Sequence, residues 1–361
     1  MCAASIALTG CDQGAADLQP AHGPALHVVA TYPAAGQGVN TALDAGVDCD
    51  SPTPDCAVPT NVQLELRFDR FLLPGAGLFS GVRLFSGDPK ANAVALKPTY
   101  DLIERVVVLT LDAPLRPNTI YTVKITPGKD VNHGFWAFDG APLEEGPVPL
   151  TFSFSTGSGP AAKVTPPSAT SDDCVSLTQP AMPGSSDTPA GPLSTCAGCH
   201  TDPPREPPSD PAAWVNAYPP LGLSLSAWGL EHTAINVVAH ETETGNSALG
   251  PGQLTGPRFG VQMGIVTPGH PENSYLMYKL LRKSDNYRPA GDCETGFHPP
   301  VSDAACTPPD DAELARLREW FVLGDPMPLA LSDRSSASLS REELLRIRSW
   351  IRDQNAACDV P

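Results

Sequence analysis

Val62-Gln63-Leu64-Glu65-Leu66-Arg67-Phe68 alternates apolar and polar residues at every step. Successive side chains of a strand point to opposite faces, so this period of two predicts a half-buried β-strand. Similar segments follow at short intervals: Gly81–Phe85, Arg105–Leu111, Thr119–Thr126 and Val148–Ser155. Turn formers separate them, among them Pro74-Gly75, Gly87-Asp88-Pro89 and Pro117-Asn118. Short strands punctuated in this way predict an all-β sandwich running from residue 27 to 156.

Three motifs in that stretch carry a family likeness: Phe68-Asp69-Arg70, Leu115-Arg116-Pro117-Asn118-Thr119-Ile120-Tyr121-Thr122-Val123, and the closing Phe152-Ser153-Phe154-Ser155-Thr156-Gly157. With them the stretch resembles bacterial Ig-like domains of the S-layer type. That resemblance implies a fold and is nearly silent on function.

Outward from the sandwich the character of the chain changes. Residues 1–26 hold a short apolar run and then a small, polar tether. Residues 157–192 contain 21 Pro, Gly, Ser or Thr in 36 positions, the composition of an extended linker rather than of a core. Residues 193–361 return to helical patterns. Pro271 to Lys283 is apolar nearly all round and predicts a buried helix, and Asp311 to Leu323 predicts a second. A third opens at Ser340, where Glu343 three positions on completes a capping box, and its apolar face is Leu344, Ile347 and Ile351 beside Trp350. The expected fold class is multidomain: an N-terminal Ig-like β-sandwich, a Pro/Ser-rich linker and a mainly α C-terminal domain.

Composition limits what the chain does. Its 361 residues include 41 Pro and 31 Gly, which favours loops and strands over long helices. The net charge is −17, and both parts share it: residues 1–160 carry 9 basic against 16 acidic side chains, the remainder 14 against 24. With no basic stripe, nucleic-acid binding lacks an electrostatic footing. The acidity favours solubility and could steer a basic redox partner in the envelope.

Cys196-Ala197-Gly198-Cys199-His200 is the motif with chemistry in it. Two thiols three residues apart, followed at once by an imidazole, form the attachment pattern of c-type haem. Each thiol adds across one haem vinyl group, and the next residue, His200, reaches the iron as proximal ligand. A structural zinc site would want a second close pair of ligands, but Cys293 and Cys306, with His298 between them, are spaced too loosely. A thioredoxin-like pair would follow a strand, whereas linker precedes Cys196. No second CxxCH exists, so one covalent haem c is expected.

The downstream text resembles the cytochrome c-like modules of planctomycete and myxobacterial exported proteins. The matching residues are Gly222-Leu223-Ser224-Leu225-Ser226, Gly269-His270-Pro271-Glu272-Asn273-Ser274-Tyr275-Leu276, Met327-Pro328, Leu339-Ser340-Arg341-Glu342-Glu343 and Trp350-Ile351, in the family's order. The insertion Asp292–Leu323 departs from the pattern. The resemblance implies Met327 as the distal iron ligand, since Met is the usual partner of His in cytochromes c. Met263, Met277, His270 and His298 are its rivals. Met277 on an apolar helix reads as core filling. His270 before Pro271 reads as a helix cap. His232 and His240 read as scattered surface histidines, and Trp320 and Trp350 as core.

Leu8-Thr9-Gly10-Cys11 resembles the lipobox of bacterial lipoproteins, which implies lipidation at Cys11 and a membrane anchor. The run before it is short for an export signal, and a start further upstream is expected. Ten cysteines fit an oxidising compartment. Locality pairs Cys49 with Cys56 and Cys293 with Cys306, which leaves Cys174 for Cys358; six cysteines allow 15 pairings. The expected function is a lipid-anchored monohaem cytochrome that exchanges electrons with an envelope redox partner and is not an enzyme. The Ig-like domain would serve as spacer or docking module, and the haem domain would swing on the linker. The alternative is an envelope binding or surface-structural protein with an accessory haem domain.

Overall fold

The computed structural model describes residues 23–39, 57–75, 77–128, 133–160, 177–178, 191–194, 196, 200, 223–239, 263–281, 309–320, 322 and 339–353. Eight strands come first: β1 Val28–Tyr32, β2 Leu64–Phe68, β3 Val82–Phe85, β4 Ala93–Val94, β5 Leu96–Asp101, β6 Val106–Leu111, β7 Ile120–Ile125 and β8 Thr151–Ser155. They form two antiparallel sheets, ordered β1-β2-β6-β5 and β4-β3-β7-β8. A one-turn helix, α1 Gly77–Ser80, precedes β3. Every strand expected from the pattern is present, shortened by one to three residues. Three more appear that no alternation announced: β1, β4 and β5. In β5 the run Lys97-Pro98-Thr99 hides the strand, and Pro98 is tolerated because β5 pairs on one side only, with β6.

Aromatic side chains fill the space between the sheets. Phe68 and Phe135 stand 5.1 Å apart between ring centroids. Tyr121 stacks on Phe154 at 5.9 Å, and its hydroxyl accepts from the Arg116 amide at 2.9 Å. That stacking and the Thr156 hydroxyl, which accepts from the Thr119 amide at 3.0 Å, tie the 115–123 motif to the 152–157 motif. Asn118 supplies the left-handed turn between them, with φ 48°.

Beyond the sandwich the described chain is helices and the short bridged stretches 234–239 and 263–266. Four elements follow: α2 Ala227–Thr233, α3 Tyr275–Leu281 preceded by a 3-10 turn at Pro271–Asn273, α4 Asp311–Trp320 and α5 Arg341–Asp353. In α3, Tyr275, Leu276, Met277, Tyr278, Leu280 and Leu281 are all buried, as the pattern implied. The capping box is formed: the Glu343 amide donates to Ser340 Oγ at 3.2 Å, and the Ser340 amide donates to Glu343 Oε2 at 2.6 Å. Leu344, Ile347, Trp350 and Ile351 form the buried face of α5. Helix α2 was not expected. It is short, it contains Gly229, and its Ser226 cap, whose Oγ accepts from the Gly229 amide at 2.9 Å, is a stronger signal than its side-chain pattern.

Strand β2 departs from the half-buried expectation. All five of its residues are buried, with Glu65 and Arg67 each 3% exposed. The helices cover the face that alternation assigned to water. Arg341 on α5 donates to Glu104 Oε1 from Nε at 2.9 Å and from Nη2 at 2.5 Å. Arg348 on α5 pairs with Asp101 at the end of β5. From α4, Glu313 reaches Arg70, which donates from Nε to Oε2 at 2.8 Å, and Glu313 Oε1 accepts from the Phe71 amide at 3.1 Å. Arg70 also donates to Asp139 Oδ2 at 2.5 Å and lies 5.6 Å from the Phe138 ring centroid. Burial pulls the Arg70 guanidinium down, but the bonds to Asp139 and Glu313 outweigh it and leave the group above its usual value. The buried apolar side chains of sandwich and helices form one contiguous core.

Candidate functional site

Of the Cys196–His200 motif, Cys196 and His200 are described. Cys196 is 7% exposed, a member of the contiguous core, and its amide donates to the Leu193 carbonyl at 3.0 Å. The His200 carbonyl accepts from the Leu225 amide at 2.7 Å, so His200 is tied to the Leu223–Ser226 stretch. That stretch is itself fixed. The Ser224 amide donates to Thr233 Oγ1 at 2.9 Å, and Ser224 Oγ lies where a Cβ on Gly229 would come to 2.0 Å. Only glycine lets α2 approach so closely.

The His200 ring is the chemically distinctive group. Its Nδ1 is buried without a hydrogen-bond partner. Burial lowers its pKa, the Leu223 backbone opposes that shift, and the nearby Lys279 ammonium adds to the lowering. An imidazole kept neutral, with an unsatisfied ring nitrogen in the interior, is the form that ligates a metal. The unpartnered Nδ1 makes His200 a candidate metal ligand. Lys279 was not foreseen as a neighbour of this histidine; on sequence it is only the charged residue of an apolar helix.

Cys199, the distal candidate Met327, and His298 and His240 lie outside the described residues. So do Cys11 and all six cysteines of the expected pairs Cys49–Cys56, Cys293–Cys306 and Cys174–Cys358, together with the side chain of Trp320. Of the rival ligands, Met263 is 2% exposed and Met277 0%, both in the contiguous core. His270 occupies the N-cap position of the 3-10 turn, yet its side chain does not cap; its Nδ1 bonds Glu272 at 2.9 Å on the surface. His232 is exposed in the last turn of α2. Among the described residues no group of three or more His, Cys, Asp or Glu is arranged to hold a metal ion. Nor is any helix among them long and apolar enough to cross a membrane.

Comparison with known proteins bears on the sandwich. Among solved structures the chain is similar to the S-layer protein SbsC at 11% identity and a TM-score of 0.24, over 37% of this chain and 14% of that one. An N-terminal part of SbsC gives the same values over 24% of its length, so the chain spans a quarter or less of these S-layer chains. The copper resistance protein PcoC from Escherichia coli is similar at 18% identity and a TM-score of 0.21, over 36% of this chain and 97% of that one. No curated protein matches the chain in sequence. The model of the bacterial Ig-like domain matches residues 24–156, the interval over which the two sheets are built, and that segment of the chain is a bacterial Ig-like domain.

Proposed function

We propose that this chain is an exported protein of the bacterial cell envelope, a surface-structural or binding protein. In this reading the Ig-like domain is the scaffold and the C-terminal region is an accessory module carrying one covalent haem c. The observation that supports the scaffold role is the Ig-like domain at 24–156 with helices α4 and α5 clamped on one of its sheets. Cys196 and Cys199 would form the haem thioethers, His200 would be the proximal ligand and Met327 the distal one. Lipid on Cys11 would anchor the protein to a membrane.

A second reading is favoured by the state of His200. A half-buried imidazole whose enclosed Nδ1 has no hydrogen-bond partner, in a CxxCH motif, supports an electron-transfer role with an envelope redox partner. Bound haem would supply reversible one-electron chemistry. The chain's own contribution would be to hold the imidazole through the Leu223–Ser226 stretch and to keep water from it.

Expression in a host that matures c-type cytochromes tests both. Haem that stays with the polypeptide through acid–acetone extraction is expected, and its loss in Cys196→Ala with Cys199→Ala. Colourless protein from such a host would overturn the haem assignment. Fast one-electron exchange at an electrode would favour the carrier; sluggish exchange, with normal surface assembly, would favour the structural role. Detergent partition that disappears in Cys11→Ser is the outcome expected of the anchor.

A further inference from the structure

We propose that the outer face of the β1-β2-β6-β5 sheet is an internal docking platform for α4 and α5, so that the Ig-like domain and the C-terminal helices move as one rigid body. The proposal holds whether or not haem is attached.

Three observations carry it. The outward residues of the central strand β2, Glu65 and Arg67, are as buried as the inward ones. A sheet face made for solvent or for a transient partner would leave such charges wet. Next, complementary charge crosses the junction in both directions. The sandwich presents Asp101 and Glu104 to Arg348 and Arg341 of α5, and presents Arg70 to Glu313 of α4. Arg70 and Glu313 are each 3% exposed on their side chains, and Asp139, which completes the pairing, is 0%. Charges buried so deeply cannot fall back on water, so separation would strand them and the pairing specifies one register.

The third observation is apolar continuity. Tyr100 of β5 and Tyr278 of α3 are both buried and belong to the same contiguous core. Strand β5 also lies against the Pro271–Asn273 turn. That turn region is joined to α5 by the Gly269 amide, which donates to the Ile351 carbonyl at 2.7 Å. A C-terminal module swinging on the proline-rich stretch, as the sequence led one to expect, would first have to break every pair named here. A partner of this protein meets a single two-part surface, and the covered sheet face is closed to it.

Hydrogen–deuterium exchange on the full chain tests the platform. Arg341→Glu places like charge against Glu104. It is expected to speed exchange on the order of tenfold both in α5 and in the 101–111 segment of the sandwich. Arg348→Glu, which places like charge against Asp101, is expected to speed exchange in the same two places. Acceleration confined to α5 in either variant would overturn the proposal. Should Arg341→Glu fail to fold, rotational diffusion of the wild-type protein decides: one correlation time for sandwich and helix probes supports one body, and two overturn it. Protection of α5 that rises with protein concentration would assign the platform to a second copy, and would also overturn it.

Discussion

Glu65 occupies a strand face that its own neighbours mark as polar, yet burial raises its pKa to about 8; Arg67 pulls it back and Asp101 pushes it further up. The folded value lies above the ordinary 4.5, so the folded chain holds the proton more tightly than the unfolded one. The stability linked to that proton is complete below pH 4.5 and is lost as pH rises through about 8, at about 1.4 kcal/mol per pH unit. Glu65→Gln is expected to flatten this decline and to leave the protein a few kcal/mol more stable than wild type at pH 8, as measured by denaturant titration across the range. A second contrast also sits at the scale of single residues. Glu313→Gln takes a charge from the buried Arg70 and should lower the unfolding free energy from denaturant titration by about 3 kcal/mol. Lys97→Ala breaks the Lys97–Asp112 pair, whose side chains are 71% and 50% exposed, and should change stability by no more than about 0.5 kcal/mol. Equal losses in the two variants would mean that burial does not govern these pairs.

At the scale of elements, what could be read in advance was what is encoded locally. The capping box of α5 is four consecutive residues acting on their own backbone, and it forms as expected. Ser340→Ala should lower stability by about 1 kcal/mol, seen as a lower melting temperature with an unchanged helix core. The buried helix α3 was legible because nearly every position is apolar. Strand β5 was not, because its pattern is broken by Lys97 and Pro98 and it exists through its ladder with β6. The tight turn after it holds Arg105 at φ 55° while Asp101 Oδ1 accepts from the Ile103 amide at 3.1 Å. That turn aims Asp101 and Glu104 at α5, and nothing in its composition announces the helix it meets.

The whole molecule should unfold as one unit. A single contiguous core and buried pairs on both sides of the junction couple sandwich to helices. Scanning calorimetry is expected to give one transition, with calorimetric and van't Hoff enthalpies in agreement. Two resolved transitions would show that the junction is too weak to couple the parts. On such a body an attached haem would sit at a fixed place on a scaffold rather than on an arm.

The sequence by itself determined the sandwich over residues 27–156, the helices near 271–283, 311–323 and 340–353, and the CxxCH motif at 196–200. Each depends on short-range rules: alternation, helical period, a cap, or the spacing that two thioethers and an axial imidazole require. Only the tertiary structure decided that Glu65 and Arg67 are buried, that Arg70 finds Glu313, and that Leu223 and Lys279 surround His200. A charge in the chain carries no mark of its distant partner. Whether it faces water or an opposite charge is settled by which surfaces meet, and those surfaces come from segments far apart in the sequence.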